Sequence, residues 1–234
     1  MRRGRRASGA APARRSAIVT TLLLIRHGVT AATGTRLGGR TEAELSDNGR
    51  RQAEAAGARI AALPVRAVYA SPLARTWQTA EIVGKAVGRE PVACDGLLEV
   101  DYGTWTDRSL ASVARTRMWP VIQARPSLAA FPEGETIRGA QLRAADAVEE
   151  LVARHRSGVI AAISHADVIK ALIAFYLALP LDSFQRLHVN PASVSVLRLS
   201  PGGGRPVLVR FNDDGALRAE DFRPTRRTRT AKRS

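Results

Sequence analysis

The sequence predicts an α/β domain: a mostly parallel sheet between two layers of helices, a three-layer αβα sandwich. Short apolar runs recur at Thr21 to Ile25, Val65 to Ala70 and Val159 to Ser164. They are continuous rather than alternating, as expected of strands buried on both faces. Each is followed by a segment of helical period. Strands that alternate with helices need crossovers, and crossovers lay helices on both faces of a parallel sheet.

Thr21 to Ile25 is the first strand. Leu45-Ser46 opens a helix with Ser46 as N-cap, on which Ala53, Ala56, Ile60 and Leu63 recur before Pro64 stops it. Val65 to Ala70 is the second strand. Ser71-Pro72 reads as N-cap and first-turn proline of a helix ending near Gly88. Pro91 to Cys94 is a candidate third strand, and Arg108 to Met118 a short helix. Thr136 to His155 is a longer helix with Ile137, Val148, Leu151 and Val152 on one side and Gly158 just past its end. Val159 to Ser164 precedes an apolar helix from Ala166 to Leu179. Ser193 to Leu199 and Pro206 to Phe211 form a final antiparallel pair around Pro201-Gly202-Gly203-Gly204. No repeat and no second-domain boundary is visible.

The 234 residues carry a net charge of +15, which asks for an anionic partner. Its distribution answers differently. Residues 1–17 hold six Arg and no acid, and residues 222–234 hold five Arg and one Lys and no acid. Removing those twelve leaves 24 basic and 21 acidic residues in 18–221, a net of +3. Residues 18–221 are therefore the expected domain, flanked by two basic tails of disordered composition. The tails read as solubilising ends or, at the N-terminus, as an upstream start codon. Anionic-surface or nucleic-acid binding through them ranks below that reading. Arg14-Arg15 resembles a twin-arginine export signal only loosely, since the apolar stretch runs into Arg26-His27 without a small-residue cleavage site. The single Cys94 excludes a disulfide scaffold and a multi-Cys metal site, and the apolar run Ala17 to Ile25 is too short to span a bilayer. The expected location is the cytoplasm. The sequence carries no signal of oligomeric state.

In sheets of this kind functional residues gather past the carboxyl ends of the strands. Those positions hold Arg26-His27-Gly28-Val29-Thr30, Ser71-Pro72-Leu73-Ala74-Arg75-Thr76, Glu99 with Tyr102-Gly103-Thr104-Trp105, and Ser164-His165-Ala166-Asp167. Two His, two Arg and a Glu on one edge suit phosphoryl transfer. A neutral imidazole is a competent nucleophile, and guanidinium forks match phosphoryl oxygens in geometry and charge. A second histidine, if protonated, adds a donor. A carboxylic acid protonates the leaving oxygen and, once ionised, accepts a proton from water. No metal-ligand spacing is present, and no metal or cofactor is expected. Taken singly each piece has a plainer reading: a surface Arg-His pair, an ordinary helix start, a solvated loop acid, a core histidine.

Leu23-Leu24-Ile25-Arg26-His27-Gly28-Val29-Thr30 resembles the signature of the histidine phosphatase superfamily, which includes the phosphoglycerate mutases. Gly39-Arg40, Leu45-Ser46, Gly49, Ser71-Pro72-Leu73-Ala74-Arg75-Thr76 with Gln78-Thr79-Ala80, Leu98-Glu99 with Tyr102-Gly103-Thr104-Trp105, and Ser164-His165 follow in that family's order across about residues 20–200. The resemblance implies a phosphoglycerate mutase-like sandwich. It makes His27 the phospho-accepting nucleophile, Arg26, Arg75 and His165 the phosphate pocket, and Glu99 the proton donor. Gly28 would offer its carbonyl to the other nitrogen of His27. Thr33, Gly39 and Ala166 are further candidate substrate-binding residues; Thr33 and Ala166 stand where the family commonly has Asn and Gly, and Val29 where it has Glu or Gln.

Glu99 and His165 are 66 positions apart, which resembles the shorter phosphatase branch, whereas mutases carry an insertion there. The segment Leu181 to Arg186 with Pro191 to Val196 resembles a subgroup commonly labelled "probable phosphomutase". The expected activity is metal-independent phosphomonoester hydrolysis through phosphohistidine on a small metabolite, with mutase activity as the alternative. Sugar phosphates, phosphoglycerate derivatives and nucleotide-precursor phosphates are candidate substrates. Residues 106–135 are expected to cap the pocket. Trp105, Met118, Trp119 and Phe131 would give an apolar wall, and Arg108, Arg115, Arg117 and Arg125 a second anion site, unless those rings are core and those arginines solvated.

Overall fold

A computed structural model describes residues 19–202 and 204–215. The two basic tails lie outside the described residues. Strands β1 (Thr20–Arg26), β2 (Val65–Ala70), β3 (Pro91–Ala93), β4 (Gly158–Ser164), β5 (Val194–Leu199) and β6 (Val207–Asp213) form one sheet in the order β3-β2-β4-β1-β5-β6. The first four are parallel; β5 and β6 complete it as antiparallel additions. The helices are α1 (Asp47–Ile60), α2 (Ala74–Val87), the short α3 (Leu110–Val113) and α4 (Trp119–Ala124), α5 (Ile137–Arg154) and α6 (Ala166–Tyr176).

Successive side chains of a strand point to opposite faces, so each central strand feeds two cores. Leu23, Ile25, Ala161 and Ile163 pack with Ala56, Ile60, Ala80 and Val83 of α1 and α2. Leu22, Leu24, Ile160 and Ala162 pack with Val148, Leu151, Ile169 and Leu172 of α5 and α6. This double burial explains why the strands read as continuous apolar runs. A third cluster joins Val100, Tyr102, Trp105, Val113, Ile122 and Phe131 of the long β3–α5 connection with Phe184, which follows α6.

Several expected boundaries shift. Ser71 does not cap α2: Leu73 is its N-cap, with no side-chain cap. Ser71 still follows the sheet, its N–H donating to the Ile163 carbonyl at 3.0 Å. The stretch 108–118 is not one helix; Ser109 caps a single turn, and a second piece starts at Trp119-Pro120. Gly158 opens β4 at φ +105°, a conformation that suits glycine, rather than ending α5, which stops at Arg154 with His155 as its C-cap. Helix α1 stops at Ile60 and leaves Leu63 exposed, and α6 stops at Tyr176. Ser46 and Thr136 cap α1 and α5 as their sequence positions suggest, accepting from the N–H groups of Gly49 and Gly139.

The chain leaves β1 toward the α1/α2 face and leaves β4 toward the α5/α6 face. The crevice between these neighbouring parallel strands is thus the topological switch point, where such sheets bind ligands. The register sets Arg26 opposite Ser164, so the residues that follow, His27 and His165, stand side by side.

Helix α1 approaches the β1 exit so closely that two glycines are required. A Cβ on Gly28 would meet the Gly49 carbonyl well inside van der Waals contact, and a Cβ on Gly49 would meet the Val29 carbonyl. These are backbone clashes, which no rotamer change relieves. Replacing a helical glycine by alanine ordinarily adds stability. Here Gly49→Ala is expected to lose about 1–3 kcal/mol, the cost of overpacking. Urea unfolding checks the sign, and a gain in stability would refute the contact.

Candidate active site

Arg26 is the last residue of β1, and His27 the first beyond it, its N–H bound to the Ser164 carbonyl at 3.0 Å. The buried imidazole donates Nδ1–H to the Gly28 carbonyl at 2.7 Å. A carbonyl can only accept, so the proton lies on Nδ1 and Nε2 keeps its lone pair. Burial, then the charges of Arg26 and Arg75, hold the His27 pKa well below the ordinary histidine value, against a smaller opposing effect of the Gly28 hydrogen bond. The ring is neutral at neutral pH, the form in which an imidazole can act as a nucleophile.

Arg75 sits in the first turn of α2. Its Nη1 donates to the Thr41 carbonyl at 2.8 Å and its Nη2 to the Gly39 carbonyl at 2.6 Å. Nη2 also lies 3.2 Å from His165 Nδ1. A guanidinium has no acceptor, so His165 Nδ1 accepts, and its Nε2–H donates to Ser71 Oγ at 2.9 Å. Burial, followed by Arg75, keeps the His165 pKa well below its usual value. His165 is therefore neutral in the ligand-free site, and the protonated second histidine entertained from the sequence is not the resting form. The two imidazoles meet edge to face with centroids 5.2 Å apart. Arg26 donates from Nη1 to the Val189 carbonyl at 2.7 Å, while its buried Nε has no partner among the described residues.

Glu99 follows the turn after β3. One oxygen accepts the Val100 N–H at 3.0 Å, and the other lies 3.8 Å from His165 Nδ1. Burial first, and then the charge of Asp167, push the Glu99 pKa up to about 7, despite Arg75, the Val100 amide and Arg26. Burial raises Asp167 too, but the Lys170 ammonium at 2.7 Å and the Tyr102 hydroxyl at 2.9 Å outweigh it and hold Asp167 below the usual carboxylate range. One carboxyl thus keeps a proton near neutrality and its neighbour does not, the separation that acid–base catalysis needs.

These groups open into a cleft of about 280 Å³ lined by Arg26, His27, Arg75, Glu99 and Ala166, with Thr30, Thr33 and Thr41 among its hydroxyls. The Thr33 hydroxyl accepts the Thr30 N–H at 2.9 Å. Gly28 serves through its carbonyl and through its N–H, which donates to Thr79 Oγ1 at 3.2 Å. Gly39 does not line the cleft; it holds Arg75, and its φ of +52° with Thr106 and Tyr102 packed against it suits glycine. Ser71, Tyr102 and Asp167 join the site although the sequence reading assigned them no role; the signal was their place just past strand ends.

The expected cap reads differently in three dimensions. Trp105 and Phe131 are buried and pack ring to ring at 5.7 Å, and Met118 and Trp119 pack against the same core. Arg108 lies over Trp105 and donates to Ser112, while Arg115, Arg117 and Arg125 are exposed. None of these eight residues lines the cleft. The segment 106–135 fills its own core, leaving Leu110 as its share of the wall.

The match to the histidine phosphatase superfamily (branch 1) runs over residues 22–214, and the chain belongs to that family. Among curated relatives it is 26% identical over 197 residues to "Phosphoserine phosphatase 1" of Hydrogenobacter thermophilus, covering 82% of this chain and 91% of the relative. It is 29% identical over 175 residues to "Probable phosphoglycerate mutase GpmB" of Erwinia tasmaniensis, covering 74% and 81%. Other matched relatives, from mycobacteria, are longer, and the aligned part is 55% of their length. Among solved structures, a mycobacterial glucosyl-3-phosphoglycerate phosphatase superposes with a TM-score of 0.76 at 25% identity, over 83% of this chain and 99% of that one.

The carboxyl environment sets a pH profile. Glu99 is protonated below pH 7 and loses its proton as pH rises through about 7. With an alkyl phosphate, kcat/KM should therefore fall as pH rises through about 7. Glu99→Gln should remove that limb and lower kcat by about 10²–10⁴-fold with little change in KM. A retained limb in the variant would show that another group is the acid.

Proposed function

We propose that the protein is a metal-independent phosphomonoester hydrolase working through a phosphohistidine. The single observation that carries this is the neutral His27 ring with its proton fixed on Nδ1 and Nε2 free, beside two guanidiniums. His27 Nε2 attacks phosphorus, the ester P–O bond breaks, and Glu99 gives its proton to the departing oxygen. Water then attacks the phosphohistidine, the Glu99 carboxylate takes the water proton, and the P–N bond breaks to release phosphate. Arg26 and Arg75 neutralise the oxygens in both steps. The Arg26 Nε–H, buried without an acceptor, is supplied with one by a phosphoryl oxygen. Among the described residues no group of three or more His, Cys, Asp or Glu side chains is placed to hold a metal ion.

Hydrolysis is preferred over mutase chemistry because the cleft wall is drawn mostly from residues 30–43, and the β3–α5 connection adds only Glu99, Tyr102 and Leu110 to it. A mutase must keep water from its phosphohistidine. The mutase-named relative keeps return transfer as the second reading. No helix among the described residues is long and apolar enough to cross a membrane, and a cytoplasmic location is part of this proposal. The domain is taken as residues 18–221.

Incubation with a phosphate donor should place acid-labile, base-stable phosphate on His27. His27→Ala should reduce p-nitrophenyl phosphate hydrolysis by at least about 10³-fold, as loss of a covalent nucleophile does. Chelators should leave the wild-type rate unchanged. Unchanged turnover in His27→Ala would overturn the assignment. Formation of 2-phosphoglycerate from 3-phosphoglycerate, in place of free phosphate, would select the mutase reading.

A further inference from the structure

The charges along the cleft indicate what the phosphate is attached to. Its charged or titratable lining side chains are Arg26, His27, Arg36, Arg75, Glu99, Tyr102 and Asp167. Two of the cations, Arg26 and Arg75, are the phosphoryl grip. The third, Arg36 at the rim, is committed: its Nε and Nη2 form a fork on the two Asp107 carboxylate oxygens at 2.7 and 3.2 Å. The backbone holds the two segments together: the Asp107 N–H donates to the Leu37 carbonyl at 2.7 Å, the Leu37 N–H to the Arg108 carbonyl at 2.9 Å and the Leu110 N–H to the Thr35 carbonyl at 2.9 Å. Beyond the phosphoryl grip, then, no unpaired cation faces the cleft among the described residues.

What does face it there is Asp167. It lines the cleft in the first turn of α6, and about a quarter of its side chain, 23%, stays accessible. Its counter-ion stands behind it: Lys170 is itself buried, bonds Gln185 at 2.9 Å and lies 4.4 Å from the Phe184 ring centre, outside the cleft wall. Tyr102 donates its hydroxyl to Asp167 from the side. The substrate's far end therefore meets a carboxylate with spare lone pairs, together with the hydroxyls of Thr41 and Tyr102. A second carboxylate placed there meets the Asp167 oxygens with no cation on the cleft side to pair with, Lys170 lying outside the wall, whereas an alcohol donates into those oxygens.

We propose that this half of the cleft is a polyol subsite, in which Asp167 accepts a hydrogen bond from a substrate hydroxyl and disfavours phosphomonoesters bearing a carboxylate. The inference rests on the phosphoryl end lying at Arg26 and Arg75, as in the hydrolase reading. It places the substrate among hydroxyl-bearing, otherwise uncharged phosphomonoesters such as sugar or polyol phosphates.

Glycerol 3-phosphate and 3-phosphoglycerate form a matched pair, differing by a hydroxymethyl group against a carboxylate. Calorimetric Kd values on the His27→Ala chain compare them without turnover, and Ki values against p-nitrophenyl phosphate on the wild type repeat the comparison. Glycerol 3-phosphate should bind about tenfold more tightly. Asp167→Asn should narrow that ratio to about threefold or less, because it removes the repulsion felt by one ligand only. Arg36→Gln should leave the ratio unchanged. Equal binding, tighter binding of 3-phosphoglycerate, no binding of either, or a ratio untouched by Asp167→Asn each overturns the proposal. A preference for 3-phosphoglycerate that disappears in Arg36→Gln would place a carboxylate grip at the rim instead. Failure of the wild type to hydrolyse p-nitrophenyl phosphate would refute the hydrolase reading alone, since the Kd ratio is read independently of turnover.

Discussion

The site depends on one short hydrogen bond, from His27 Nδ1–H to the carbonyl of its own neighbour, Gly28. It fixes the tautomer, turns Nε2 outward and leaves the lone pair uncommitted. The carbonyl stays in place because the Gly28 backbone is pressed against Gly49 of α1 with no room for a Cβ on either residue. Ser46 secures the same approach, its N–H and hydroxyl both reaching the Val29 carbonyl, at 3.0 and 3.1 Å. A packing constraint between a strand end and a helix start thus becomes a statement about which nitrogen of a ring is the nucleophile.

Electrostatics then divide the work. Burying two imidazoles beside two guanidiniums makes a second positive charge on either ring costly, so both stay neutral. Two carboxyls face the same site but not in the same state, Glu99 nearly buried and Asp167 about a quarter accessible. Asp167 has Lys170 and Tyr102 to stabilise its charge; Glu99 has fewer donors and feels the charge of Asp167. The ionised member thereby keeps the other protonated near neutrality. In the proposed reaction Asp167 would act on both the acid, Glu99, and the wall that the leaving group meets.

Much of this was legible in the chain. Continuous apolar strands reported double burial, and the residues just past their ends named His27, Arg75, Glu99 and His165 before any coordinates. Register brought the two histidines together, and register follows from which strands are neighbours, a long-range fact that local pattern does not carry. Ser71 looked like a helix cap because Ser-Pro ordinarily is one; its hydroxyl is instead taken by His165, 94 positions away. Trp105 and Phe131 looked available as a wall because no periodicity marks the irregular segment that buries them. An acid beside a phosphate site has no local rationale in the sequence; the partners that explain Asp167 are Lys170 one turn on and Tyr102, 65 positions away.

The central claim is that His27 rests as the neutral Nδ1–H tautomer. Nitrogen-15 chemical shifts of histidine-labelled protein, with His27 assigned by comparison with His27→Ala, measure this directly between pH 5 and 8. The account predicts a protonated-type shift at Nδ1 and a bare-nitrogen shift at Nε2 throughout, with no titration near the ordinary value of 6.5. An imidazolium at pH 6, or a proton found on Nε2, would contradict it.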